Sequence, residues 1–231
     1  MTYDRDQYRS QQVLDYISLL YPELTKDFSD CSVLDIGSGL GTVAMSLAQY
    51  ASSVVGIELT SHLVEKARIE TRKRGLSNIS FENMSAFDLI ESHDYDVVIL
   101  SDVLEHVSDQ RKLLMKCLGA MAPTGVLYLN TPNKWFPFEP HKRMLFLSWL
   151  PKRLANKYAA AFGRSSYDEY HLLSHRELIA LLDDLPIVYS FKVQRNPTRL
   201  MYRIGNRLVT KAPFLWRFAN AFQIVVTFKR A

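Results

Sequence analysis

Cysteine is scarce: Cys31 and Cys117 are the only two in 231 residues, and neither sits in a Cys-x-x-Cys or Cys/His spacing. That excludes a disulfide framework and a zinc module, and makes a reducing compartment, the cytoplasm, the default. Long apolar runs are missing too. The longest strongly apolar stretch, residues 144–150, is far short of the roughly 20 residues that cross a bilayer. The opening residues 1–6 are charged with no apolar stretch behind them, so no secretory signal is expected. There is no internal repeat and no low-complexity tract. What remains, 48% apolar and 23% charged, excludes a collagen, a coiled coil or a disordered tail, and suits one domain over residues 1–231 with one good core.

Charge is unevenly spread. Residues 1–133 carry 11 Lys/Arg against 18 Asp/Glu, a net of −7, whereas residues 134–231 carry 17 against 6, a net of +11. The basic part also holds Trp135, Trp149 and Trp216, all the tryptophans there are. Two readings fit: an acidic catalytic body with a second region facing something anionic or interfacial, or outer helices that Lys and Arg merely solvate.

Apolar residues at helical spacing, Tyr8, Val13, Tyr16, Ile17 and Leu20, predict an opening amphipathic helix closed by Pro22. From there strand, turn and helix repeat. Strands are predicted at 31–36, 53–57, 78–82, 95–100 and 125–130, with helices at 42–50, 61–74 and 110–121. Ser61 is the expected N-cap of the second helix and Gly75 its terminator. A helix at 174–182 after an N-capping Ser174 and strands at 187–193 and 222–228 complete the pattern. Strands nearly continuous in Val, Ile and Leu that alternate with helices belong to a parallel sheet covered on both faces, so the fold class is α/β, doubly wound. Two stretches break the rhythm. Residues 132–172, dense in aromatics, Pro and Lys/Arg, are too long for a plain connection and are expected to form a helical, lid-like insertion; residues 195–220 form a second, basic one.

Between the first strand and first helix runs Asp35-Ile-Gly37-Ser38-Gly39-Leu-Gly41, where open α/β sheets bind ligands. The spacing is GxGxG rather than the GxGxxG of a dinucleotide fingerprint. The acid before it would repel a pyrophosphate and attract an ammonium group. Glu58, at the end of the second strand, can accept hydrogen bonds from both hydroxyls of a ribose. Together these residues suit a nucleoside with a cationic amino-acid tail.

Val33-Leu-Asp-Ile-Gly-Ser-Gly-Leu-Gly-Thr with Val55-Gly-Ile-Glu58 resembles the cofactor motif of class I S-adenosylmethionine-dependent methyltransferases. Asp96-Val-Val-Ile-Leu-Ser-Asp102-Val-Leu-Glu105-His106-Val, Thr131-Pro-Asn133 and His171 followed by Ser174-His-Arg-Glu-Leu are similar to their ubiquinone-biosynthesis-like O-methyltransferase branch. The resemblance covers about residues 30–190. It implies a mostly parallel seven-stranded sheet with the last strand antiparallel, and S-adenosyl-L-methionine as cofactor. It places the methionine part near Asp35, Gly37, Ser38, Gly39 and Gly41, the ribose on Glu58 and the adenine beside Leu59. Ser101 is expected near the reacting methyl group. Relatives often bind the adenine amino group through an acid after the third strand, where this chain has Ser85; Ser85 with the Ala86 backbone, or Asp88, would have to serve.

Methyl transfer from a sulfonium is an in-line displacement whose donor supplies the activation, so the protein aligns the acceptor and removes its proton. A phenol, with a pKa near 10, needs only an imidazole; an alkyl hydroxyl wants a stronger base or a metal. If the chain turns helical after the fourth strand, Asp102, Glu105 and His106, at i, i+3 and i+4, share one face. Some relatives bind a divalent metal on the corresponding pattern with a further histidine matched here by His171. Three readings stay open: a metal on Asp102, Glu105, His106 and His171; His106 or His171 as a metal-free base; or a Glu105–His106 pair that only stiffens the loop. His141, at the rim of the lid, reads as a solvated surface residue.

Trp135, Phe136, Phe138, Phe146 and Trp149 alternate with Lys134, Lys142, Arg143, Lys152 and Arg153. Such a lid can rest on an anionic membrane surface and admit a lipid-linked acceptor, with residues 134–217 as the contact and the inner membrane face as the location. It can equally pack over a soluble small-molecule, glycosyl or quinone-precursor acceptor. Nucleic acid is disfavoured because no RNA-binding module is present, although RNA ribose methylation suits the same motifs. A non-catalytic S-adenosylmethionine-binding scaffold or sensor would keep the same cofactor residues.

Overall fold

The computed structural model describes residues 20–192, 219 and 221–229. The predicted opening helix, all but Leu20, and the 195–220 insertion, all but Ala219, lie outside the described residues. Seven strands form one sheet: β1 Ser32–Ile36, β2 Ser53–Glu58, β3 Ile79–Asn83, β4 Tyr95–Ser101, β5 Met121–Pro132, β8 Ile187–Lys192 and β9 Ala221–Phe228. Their order is β3-β2-β1-β4-β5-β9-β8. β1 to β5 pair in parallel, and β9 runs antiparallel between β5 and β8.

Strand residues alternate between two cores. Val33, Val97, Ile99 and Tyr128 face the side that packs against α1 (Thr42–Leu47) and α2 (Ser61–Arg74). Leu34, Ile36, Val98, Leu100, Leu127 and Leu129 face the side covered by α3 (Gln110–Ala120) and by α5 (His175–Asp183). A one-residue slip would turn every one of these side chains onto the wrong layer, so the pleat fixes the register.

Helix ends follow their capping residues with one correction. Ser174 caps α5 in a reciprocal capping box with Glu177, at 3.3 Å and 2.7 Å. The N-cap of α2 is Thr60, not Ser61, and its side chain makes no capping bond; Ser61 is the first helical residue.

Residues 132–172 are only partly helical. They contain a short antiparallel hairpin, β6 (Phe138–Glu139) with β7 (Met144–Leu145), and then α4 (Lys152–Ala161). Met144, Leu147, Ala155, Ala159 and Tyr167 give this excursion a small core of its own. Its ends are tied together, since Asn133 bridges Leu173 and Lys134 N–H donates to the Leu173 carbonyl at 3.0 Å. Among the described residues no helix is long and apolar enough to cross a membrane.

Candidate active site

Sheet order reverses between β1 and β4, where loops leaving the strand ends diverge and open a crevice. A cleft of about 720 Å³ lies there. Gly37 reaches it from the loop after β1, Glu58 and Leu59 from that after β2, Ser85 and Ala86 from that after β3, and Asp102 and His106 from that after β4.

The glycine bend is shaped from below. Gly37 and Gly41 sit at φ +72° and +73°, and a Cβ would lie 2.4 Å from Val103 Cγ2 at the first and 2.3 Å from the Phe81 ring at the second. Both conformation and space therefore demand glycine. Ser38 turns its buried hydroxyl back toward Gly56 of β2, where it finds no hydrogen-bond partner among the described residues. Glu58 spans the bend, accepting from Gly39 N–H at 3.0 Å and from Thr60 N–H at 2.8 Å. Its oxygens keep further lone pairs free.

Asp35 is buried behind the bend. Burial, resisted by an amide bond from Ala44 in the first turn of α1 and aided by the Glu58 charge, pushes its carboxyl up to about 7. Among the described residues its Oδ2 has no hydrogen-bond partner.

The loop after β4 makes only a single 3-10 turn, Leu104–His106. Asp102 precedes it at φ +56°. That left-handed residue breaks the helical face, and Asp102 turns away from Glu105 and His106 to accept from Asn130 Nδ2 at 2.9 Å and from Ser101 Oγ at 3.3 Å. Crowding by the surrounding protein, ahead of the Glu105 charge, pushes the Asp102 carboxyl up to about 6 although the residue as a whole is exposed. Ser101 spends its hydroxyl on Asp102 and Asn130 and does not line the cleft.

Glu105 is fully buried. Its Oε2 accepts from Thr131 Oγ1 at 3.1 Å, while Oε1 accepts no hydrogen bond among the described residues and lies 3.5 Å from His141 Nε2. The other edge of that imidazole, Nδ1, is 2.6 Å from Oε1 of Glu139, which is also buried. Burial opposes a charge on His141, but the flanking Glu105 and Glu139 overcome it and hold the ring at about 9. His106, exposed to the cleft, packs edge-on against His141 with centroids 5.2 Å apart. Ligand atoms of Glu105, His106 and His141 all lie within 4.8 Å of one another.

Two expected members are absent from this cluster. Asp102 leaves it for the reason just given. His171 is held by its backbone, N–H to the Glu105 carbonyl at 2.7 Å, while its exposed side chain faces a separate pocket of about 250 Å³. His141, expected on the surface, takes the place assigned to His171. The signal was an acid two residues before it, Glu139, in a segment where acids are rare.

The family model described as a methyltransferase domain matches residues 27–176. The chain belongs to that family. Its fold and cleft are those of a class I S-adenosylmethionine-dependent methyltransferase. The ubiquinone biosynthesis O-methyltransferase of Sodalis glossinidius (strain morsitans) is 25% identical over 182 residues, 77% of this chain and 69% of that enzyme. The enzyme of the same name from Neisseria meningitidis serogroup C (strain 053442) is 32% identical over 105 residues, 44% of either chain, so this chain spans less than half of that relative. Among solved structures, an S-adenosylmethionine-dependent methyltransferase from Aquifex aeolicus shares the fold at a TM-score of 0.60 and 15% identity, covering 92% of this chain and 88% of that one. Magnesium protoporphyrin IX methyltransferase from Synechocystis PCC 6803, with bound S-adenosylhomocysteine, does so at 0.60 and 16%, over 95% and 83%.

The methyltransferase cleft fits this cofactor chemically. Behind the cleft lining, the Asp35 oxygen that is unpartnered among the described residues suits the positive charge of an ammonium group, and the remaining lone pairs of Glu58 suit a ribose diol. Leu59, 72% exposed, presents an apolar face for adenine. Ser85 spends its hydroxyl capping the turn at Phe87, at 3.2 Å, and Asp88 is exposed and does not line the cleft. Among the described residues, those that line the cleft after β3 include no acid.

Proposed function

We propose that this methyltransferase methylates a hydroxyl oxygen, on a phenolic quinone precursor or on a lipid-linked or glycosyl acceptor. The observation that carries the reading is the Glu105–His106–His141 cluster, whose His106 lines the cofactor cleft, because a hydroxyl must give up its proton as it is methylated and this cluster offers a group beside the cofactor to take it. Bound in the cleft, S-adenosylmethionine supplies a methyl group already activated by its sulfonium charge. His106 takes the acceptor proton, since His141 has both ring nitrogens committed to Glu105 and Glu139. Where instead a divalent ion is bound, Glu105, His106 and His141 would hold it, and the ion would make the acceptor hydroxyl acidic enough to lose its proton to water without His106 as base. The two buried carboxylates hold His141 as an imidazolium, and a bound ion would replace its Nε2 proton as the positive charge facing Glu105. The names of the curated relatives favour the quinone precursor within this class.

A membrane-borne acceptor is supported by the outer face of the lid. Trp135, Trp149 and Phe146 pack edge to face, with centroids 5.9 Å and 4.8 Å apart, and each stays at least 40% exposed. Phe146 holds a left-handed φ of +56°, a strain that bulky residues rarely bear without a function. Lys134, 5.9 Å from the Trp135 ring centre though paired with Glu177, and the exposed Arg143 add positive charge to the same segment, so an anionic headgroup layer suits the surface.

Labelled S-adenosylmethionine, incubated with the protein and separate lipid and polar extracts, tests the reading. Label should enter an alkali-stable ether in the lipid fraction, and His106→Ala should slow transfer by roughly 100-fold or more. Label appearing on nitrogen or carbon would overturn it.

A further inference from the structure

We propose that Glu139 is a positioning residue: it aims His141 at Glu105 and thereby completes a cation site that the sheet's own loops cannot complete. This rests on the reading that Glu105, His106 and His141 take up a divalent ion.

Glu139 ends β6 and is only 1% exposed. Both of its oxygens are engaged within the next three residues, Oε1 with His141 Nδ1 at 2.6 Å and Oε2 with the Lys142 N–H at 2.6 Å. It cannot rotate without breaking one of them. Holding Nδ1 leaves Nε2 as the single ring nitrogen turned toward Glu105 Oε1, 3.5 Å away. That oxygen is buried and accepts no hydrogen bond among the described residues. Two ligand atoms each about 2.1 Å from a shared ion lie roughly 3 to 3.5 Å apart, so the gap has the right span for one.

The turn that carries His141 is braced on other sides as well. Lys142 Nζ reaches Ser165 Oγ at 2.6 Å and Glu169 at 3.4 Å, and the Tyr170 ring lies over His141 with centroids 4.4 Å apart. Fastening a hairpin to the sheet would not require fixing which imidazole nitrogen points where; presenting a ligand does. A carboxylate behind a ligating histidine sets its tautomer and orientation, and its loss typically weakens metal affinity 10- to 100-fold.

Manganese titration followed by electron paramagnetic resonance tests this without any turnover. The full chain should bind one Mn²⁺. Glu139→Ala should bind it 10- to 100-fold more weakly. Glu139→Gln, which keeps size and an acceptor for Nδ1–H, should fall in between and carries the comparison if the alanine variant does not fold. His171→Ala should bind Mn²⁺ like the unaltered protein. S-adenosylmethionine affinity, measured in parallel, should stay within about twofold in every variant. Unchanged Mn²⁺ affinity in Glu139→Ala, with or without a lower melting temperature, would overturn the positioning role and leave Glu139 as a fastener of the hairpin. An unaltered protein that takes up no Mn²⁺ would remove the cation site, and this role with it.

Discussion

In the sheet body each functional group stands at the end of the strand that precedes it, whereas in the 132–172 excursion the group that matters is carried across the molecule to a partner remote in sequence. Asp35, Glu58 and Ser85 are placed by β1, β2 and β3 within a residue or two. His141 meets Glu105 only because a two-strand hairpin folds back over the loop after β4. The difference separates two kinds of chemistry. Cofactor binding is built from local geometry repeated along a parallel sheet, while the proposed acceptor chemistry rests on a single long-range docking.

That contrast can be broken at its local end first. Glu58→Ala removes the carboxylate that holds Gly39 and Thr60 and that suits the ribose diol. With about 1.5–3 kcal/mol for each of two charged hydrogen bonds to the ligand, affinity for S-adenosylmethionine should fall by roughly 100-fold or more in calorimetry, with the circular dichroism unchanged. A loss under tenfold would mean that the diol binds elsewhere. Gly41→Ala forces a side chain at φ +73° against the Phe81 ring, and urea unfolding should show about 3 kcal/mol of lost stability.

Asp35 sharpens the comparison through pH. Its folded pKa, about 7, lies above the unfolded carboxylate value of about 3.9. The folded, ligand-free protein therefore binds the extra proton between those values, and its stability falls as pH rises from about 4 to about 7. A cationic ligand prefers the ionised form, so affinity for S-adenosylmethionine should rise with pH up to about 7, by at most tenfold per unit, and then level off. Asp35→Asn should flatten both profiles; unchanged slopes would assign them to another group.

The smallest effect belongs to the outer face of the lid. Sedimentation with vesicles rich in phosphatidylglycerol at low salt should capture the protein, and Phe146→Ala with Trp149→Ala should reduce capture severalfold without altering S-adenosylmethionine binding. Equal capture by the doubly substituted protein would separate the lid from any interfacial role.

Much of the body was legible residue by residue because its signals are local. The Val/Ile/Leu runs, the three glycines and the capping box at Ser174 each report on a few consecutive positions, and the predicted strands lie within a few residues of the observed ones. Asp102 misled because its spacing from Glu105 and His106 reads as one helical turn, while Asn130 and Ser101 capture its carboxyl and the backbone enters the left-handed region. His171 misled because a histidine in the right place along the chain was held there by its amide, not its ring.

Periodicity and turn chemistry were thus enough to specify a doubly wound sheet and a cleft for a cationic nucleoside, since each depends on contacts between near neighbours in the chain. Which imidazole joins Glu105 was settled by the return of the β6–β7 hairpin. A pairing across 36 residues is chosen by how segments pack, and the spacing of residues along the chain carries no record of that choice.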